Sequence, residues 1–95
     1  MRAAIVTGCA RGIGRAVALQ LAKDGYNMAL NDLPSSIRLL NDLQKDLAGC
    51  NPGIKSIITT GDVTRETEVQ HMVDETVRGL GGLDVVCTSS RFVQH

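Results

Sequence analysis

Eight residues near the amino end, Thr7-Gly8-Cys9-Ala10-Arg11-Gly12-Ile13-Gly14, have the composition of a loop that holds phosphate through its backbone. Where a strand hands over to a helix, the first-turn N–H groups lack intrahelical partners and carry the positive end of the helix dipole, so an anion is favoured there. Gly8 would permit the tight turn, Gly12 the close approach of a pyrophosphate, and Gly14 the close packing of helix on strand. A Cβ at any of the three should therefore cost binding or folding. A glycine-rich connection with no ligand is the plain alternative, and the strand before and helix after the loop argue against it. No side chain offers a comparable reading as a general base. His71 falls on the polar face of a helix and His95 at the chain end, and Cys9, Cys50 and Cys87 lack metal-ligand spacing, so they read as small buried or loop side chains.

The elements that must position this loop follow from periodicity. Ala3-Ala4-Ile5-Val6-Thr7 is a short unbroken apolar run, the pattern of a strand buried on both faces. From Gly12 to Asp24, Ile13, Ala16, Val17 and Leu21 recur at helical spacing, and Gly25 supplies a left-handed stop. Asn27 to Asn31 predicts a second strand ending at Asp32, and Pro34-Ser35-Ser36 starts a helix whose buried face carries Leu40, Leu43 and Leu47. Cys50-Asn51-Pro52-Gly53 breaks that helix. Ser56 to Thr60 is β-branched enough for a third strand. Thr64 is the expected N-cap of a third helix, with Glu66 and Glu68 in its first turn, and Gly79, Gly81 and Gly82 are expected to end it. Leu83 to Cys87 completes a βαβαβαβ order. That order predicts an α/β fold, a partial Rossmann-type doubly wound parallel sheet with strand order 3-2-1-4.

Composition bounds the possibilities. Ninety-five residues fit one domain, and ten basic side chains balance ten acidic ones, which gives no electrostatic footprint for nucleic acid or a membrane surface. One Tyr, one Phe and no Trp leave the core to aliphatic residues and glycine. The absence of a signal-like or membrane-length apolar run, together with the odd number of cysteines, points to a soluble, reducing, cytoplasmic setting.

TGCARGIG resembles the TGxxxGxG cofactor motif of the short-chain dehydrogenase/reductase family. Asp32, eighteen residues past Gly14, stands where that resemblance implies an acid that accepts hydrogen bonds from both adenosine ribose hydroxyls and repels a 2′-phosphate. Alone, Asp32 would equally be a turn residue. Asp62-Val63 resembles the family's adenine-contacting pair, although an acid near a helix start also stabilises the dipole, and both roles can hold together. Gly82 to Val86 resembles the stretch leading into the family's fourth strand. The resemblance covers residues 1 to about 87 and implies a cofactor set of Gly8, Arg11, Gly12, Ile13, Gly14, Asp32, Leu33, Asp62 and Val63. It favours NAD(H) over NADP(H), because the carboxylate excludes the phosphate directly. Arg11, which in similar members helps hold a 2′-phosphate, reads equally as a solvated side chain at a helix start. The stretch from Gly25 through Pro34 resembles the diacetyl or acetoin reductase branch.

Where family enzymes carry Asn-Asn-Ala-Gly, this chain reads Thr88-Ser89-Ser90-Arg91, and residues 88–95 have the look of a changed reading frame or an alternative exon. No position matches the family's catalytic Ser or Tyr-x-x-x-Lys. Tyr26 cannot substitute, because the residue four further on is Leu30 rather than lysine. Three readings follow: an oxidoreductase by descent for alcohol or carbonyl substrates, inactive alone; a cofactor-binding fragment that pairs with a full-length relative; or an unstable fragment. In each, Val85 and Val86 lie on a sheet edge open to self-association or pairing.

Overall fold

Every residue of the first strand, β1 (Ala3–Thr7), is buried, which requires cover on both faces of the sheet. The computed structural model, which describes residues 2–88, supplies that cover. β1 pairs in parallel with β2 (Asn27–Leu30), Ala3 opposite Asn27 and Val6 opposite Leu30. On its other side it pairs in parallel with β4 (Val85–Thr88), Ala4 opposite Val85 and Thr7 opposite Thr88. β3 (Ser56–Ile58) pairs with β2, giving the order β3-β2-β1-β4 that the alternation of elements predicts. This is a doubly wound parallel sheet of the Rossmann type.

The pleat divides the core in two. Ala4, Val6, Met28 and Leu30 face α1 (Gly12–Lys23) and α2 (Ile37–Cys50), meeting Ala18, Ala22, Leu40, Leu43 and Leu47. Ile5 and Ala29 point the other way, onto Met72 of α3 (Glu66–Leu80), with Val69, Val73, Leu80 and Leu83 packed around them. A residue period of two in the strands thus feeds two layers of helix.

Several expectations are corrected in detail. Within α1, whose helical spacing holds, the fully buried residues are Gly14, Ala18 and Ala22, while Val17 and Leu21 are half-buried against the same core, Ala16 is exposed and Ile13 is 77% exposed. Small residues at i, i+4 and i+8 let the helix axis lie close to the sheet, which larger side chains would hold off. The second helix runs through Cys50, preceded by a 3-10 turn at Pro34–Ser36, and β3 stops at Ile58. Gly79 lies inside α3, where a Cβ would come within 3.1 Å of Ile57 Cδ1, so glycine there permits close packing on β3. The helix ends at Gly81, whose φ of 84° suits the left-handed cap. Thr64 is not the cap of α3. Arg65 holds that position without a side-chain cap, because the Thr64 hydroxyl donates to Asp62 instead. The divergent segment beyond Thr88 lies outside the described residues.

Candidate functional site

The strand order reverses at β1, between β2 and β4, and loops at the carboxyl ends of parallel strands converge beside such a switch point. Gly8 (φ 61°) and Gly12 (φ 64°) bracket the loop from β1 to α1, both in the left-handed region. The loop is tied to the end of β2: Cys9 N donates to Asn31 O at 3.1 Å, and Ala10 N donates to Asp32 Oδ2 at 3.0 Å. α1 then begins with Arg11 at the N-cap in extended conformation, without a side-chain cap and without an acidic residue in the first turn. By contrast, α3 carries Glu66 and Glu68 in its first turn.

A Cβ built on Gly12 meets nothing within 4 Å. Open space therefore lies directly against first-turn amides that no side chain caps, the donor set and the room that a diphosphate requires.

Asp32 is half-buried, and each carboxylate oxygen already accepts one bond, Oδ2 from Ala10 N and Oδ1 from Leu33 N at 2.8 Å. A carboxylate has about four lone-pair sites. Both oxygens thus keep capacity for hydroxyl donors. Its main-chain oxygen accepts from Gly61 N at 3.1 Å, which joins the loop after β3 to the same cluster. Asp62 follows directly. Its Oδ1 accepts from Thr64 N at 2.9 Å and from the Thr64 hydroxyl at 2.6 Å, and these bonds hold its carboxyl below the ordinary value. Glu68 Oε1 reaches back to Asp62 N at 2.6 Å.

The residues singled out in the sequence therefore sit on three adjoining loops. Gly8 and Arg11 lie on the first, which runs into the first turn of α1 with Gly12, Ile13 and Gly14; Asp32 and Leu33 lie on the second, and Asp62 and Val63 on the third. Arg11, Gly12, Ile13, Leu33 and Val63 are exposed, and Gly14 is on the buried face of α1. Sequence reasoning missed the Asp32–Ala10 bond and the part played by Asn31, whose only signal is an amide side chain at the end of an apolar strand. Tyr26 lies before β2, at the opposite end of the sheet, where its hydroxyl accepts from Arg2 Nη1 at 2.9 Å. His71 is exposed, with Nε2 3.5 Å from Glu75 Oε1. Among the described residues no cluster of His, Cys, Asp or Glu could hold a metal ion, and no helix is long and apolar enough to cross a membrane.

Cys9 is fully buried, and burial pushes its thiol up to about 12 from 9.0. The thiolate is the reactive form, so Cys9 should resist alkylation at pH 8 while exposed Cys50 reacts at once. Peptide mapping after timed iodoacetamide treatment reads this, and rapid labelling of Cys9 in folded protein would contradict it. The folded chain also keeps the Cys9 proton where an unfolded thiol loses it. Cys9 therefore contributes stability that is full below pH 9.0 and falls as pH rises toward about 12.

A glycine-rich turn between the first strand and first helix of a parallel sheet defines an α/β protein of the Rossmann type, and comparison with known proteins gives the family. Residues 2–90 match the family described as short chain dehydrogenase, and the chain belongs to it. It is 47% identical over 90 residues to a short-chain dehydrogenase/reductase of Armillaria gallica, covering 93% of this chain and 33% of that one. It is 40% identical over 89 residues to the short-chain dehydrogenase/reductase eriH of Hericium erinaceus, covering 92% and 34%. Among solved structures, an alcohol dehydrogenase from the archaeon Thermococcus sibiricus, complexed with 5-hydroxy-NADP, superposes with a TM-score of 0.80 at 31% identity, covering 90% of this chain and 35% of that one. The chain thus spans about a third of the length of the relatives it matches.

Proposed function

We propose that these residues hold the adenosine and pyrophosphate end of a nicotinamide dinucleotide, as the amino-terminal cofactor-binding portion of an oxidoreductase acting on an alcohol or carbonyl compound. The observation that carries the reading is the open space beside Gly12 at the uncapped start of α1, with the Asp32 carboxylate tied to the same loop through Ala10. The first-turn amides of α1 meet the pyrophosphate, with Gly8 and Gly12 giving it room and Gly14 seating the helix. Asp32 receives the ribose hydroxyls, Asp62 and Val63 border the adenine, and exposed Ile13 and Leu33 cover apolar parts of the ligand. NAD(H) is favoured over NADP(H), because a 2′-phosphate would meet the Asp32 charge. The solved archaeal relative carries an NADP derivative, and exposed Arg11 is the residue through which that alternative would act.

We read the chain as one partial dinucleotide-binding domain whose family-like part is residues 1–87, working in a reducing cytoplasm. Tyr26, bonded to Arg2 at the end of the sheet away from the glycine loop, takes no part in this binding. A second reading, association with another strand, is favoured by β4 itself: it is an edge strand, and Val86 is 53% exposed on it.

Titrating the chain with NADH by fluorescence, alongside NADH-dependent reduction of diacetyl, tests the reading. Saturable binding without reduction is expected, and no binding by folded protein would overturn it. Diacetyl is the first substrate to try because of the resemblance carried by Gly25 through Pro34. Asp32→Ala should weaken NADH binding by about 1.5–3 kcal/mol, the range for a hydrogen bond to a charged group. It should also narrow the preference for NADH over NADPH, which loosening of the loop alone would not do. An unchanged preference would remove Asp32 from the ribose.

A further inference from the structure

β2 does not end cleanly at Leu30. Its main chain continues to alternate between its two neighbours: Leu30 O accepts from Thr59 N at 3.0 Å, Asn31 N donates to Val6 O at 2.9 Å, and Asp32 O accepts from Gly61 N at 3.1 Å. At Asn31 both main-chain groups are directed to the β1 side, N–H to Val6 and C=O to Cys9. The β3 side then receives the Asn31 side chain. Its Nδ2 donates to Thr59 O at 3.0 Å and to Gly61 O at 3.4 Å, bridging the gap between two main-chain bonds. Asn31 is 2% exposed.

Two carbonyl oxygens facing one small side chain are both met by a neutral group with two N–H donors, which a side-chain amide supplies without a charge to desolvate. Aspartate would turn a carboxylate toward both carbonyls, and leucine would leave them without the donor. The chemistry of the position therefore selects asparagine. Its location matters because the residues on either side of these bonds are the ones that meet the proposed ligand. Asn31 O holds Cys9 in the glycine loop, and Asp32 is its chain neighbour. The carbonyl of Gly61 immediately precedes Asp62 and Val63.

We propose that Asn31 is a positioning residue for dinucleotide binding, whose side-chain amide holds the Thr59–Asp62 loop at a fixed distance from Asp32 and the glycine loop. It touches no ligand. It acts through Gly61, and so on the adenosine side of the site alone, because the pyrophosphate side is held by main-chain groups of Asn31 that a side-chain substitution leaves in place. The inference rests on the dinucleotide reading of the site.

Two ligands separate its parts in the full chain. ADP spans both loops, whereas inorganic pyrophosphate meets only the start of α1. In Asn31→Ala, ADP should bind about tenfold more weakly and pyrophosphate within about twofold of the parent, since a lost hydrogen bond of ordinary strength corresponds to roughly tenfold in affinity. Equal weakening of both ligands, or of neither, would overturn the positioning role. Amide hydrogen exchange of the ligand-free proteins is the companion measurement. Exchange at Gly61 should speed up in Asn31→Ala while that of β1 stays the same, and unchanged exchange at Gly61 refutes the proposal even if the parent binds neither ligand. That last result for the parent would defeat the dinucleotide reading separately. Asn31→Ser, which retains a single donor, is the second variant. If both variants are unfolded at the temperature of the titration, Asn31 is a folding residue and the positioning role falls.

Discussion

Gly12→Val is expected to abolish NADH binding while leaving the sheet and its three helices assembled. The Cβ at this position enters open space, so no packed atom resists it, but that is the space assigned to the diphosphate. Excluding the diphosphate removes several charge-assisted hydrogen bonds at once, each about 1.5–3 kcal/mol. Losing even two corresponds to about 100-fold or more in affinity. The backbone responds as well. A φ of 64° is strained for a β-branched residue by about 1–3 kcal/mol, so the melting temperature should fall by roughly 4–8 °C for each kcal/mol. Calorimetric titration with NADH, preceded by a thermal melt, separates the two effects. A folded Gly12→Val chain that binds NADH like the parent would place the diphosphate elsewhere.

Leu43→Ala is expected to cost most of the chain's stability. α2 contributes three buried side chains to the sheet, Leu40, Leu43 and Leu47, with Leu43 the middle one and fully buried. Truncation in such a site removes transfer free energy and leaves a cavity, together about 2–5 kcal/mol. Globular domains have roughly 5–15 kcal/mol in hand, and a small one stands near the lower figure. The ion pair between Arg15 and Asp46 cannot compensate, because both side chains are substantially exposed and such pairs contribute about 0–1 kcal/mol. Thermal unfolding followed by circular dichroism should show a fall of about 10 °C or more. A shift of only a degree or two would mean that α2 is not seated as described.

The elements were legible wherever periodicity and burial agree. The unbroken apolar run at Ala3–Thr7 and the leucine stripe of α2 each point to one face and one partner. α1 shows where this fails. Helical spacing is satisfied both by Ile13 and Val17 and by Gly14, Ala18 and Ala22, and the neighbouring sheet buries the smaller set fully while Val17 packs at its border and Ile13 is exposed. The cap of α3 was misplaced for a related reason: Thr64 is a good capping residue, yet Asp62 two positions earlier takes its hydroxyl. Gly79 looked like a stop because glycine usually is one, and its approach to Ile57 depends on a strand more than twenty residues earlier.

The candidate site divides in the same way. Glycine spacing and the acid after β2 can be read along the chain, because loop and helix are contiguous. The bonds that join the loops cannot. Ala10 meets Asp32 across 22 residues, and Asn31 meets Thr59 and Gly61 across 28 and 30. Such contacts depend on where carbonyls stop in space, which no local pattern encodes.

The pairing of β1 with β4 bears on how this chain assembles. Ala3 N donates to the Asp84 carboxylate and Asp84 N to Ala3 O across a separation of 81 residues. β1 thus acquires its second neighbour only from a segment 81 residues further along the chain. Closing so long a loop costs entropy before any contact repays it, which makes parallel sheets slow to form. During that interval the side of Ala3–Thr7 that will receive Val85–Thr88 stays open, an unpaired edge able to take a wrong partner.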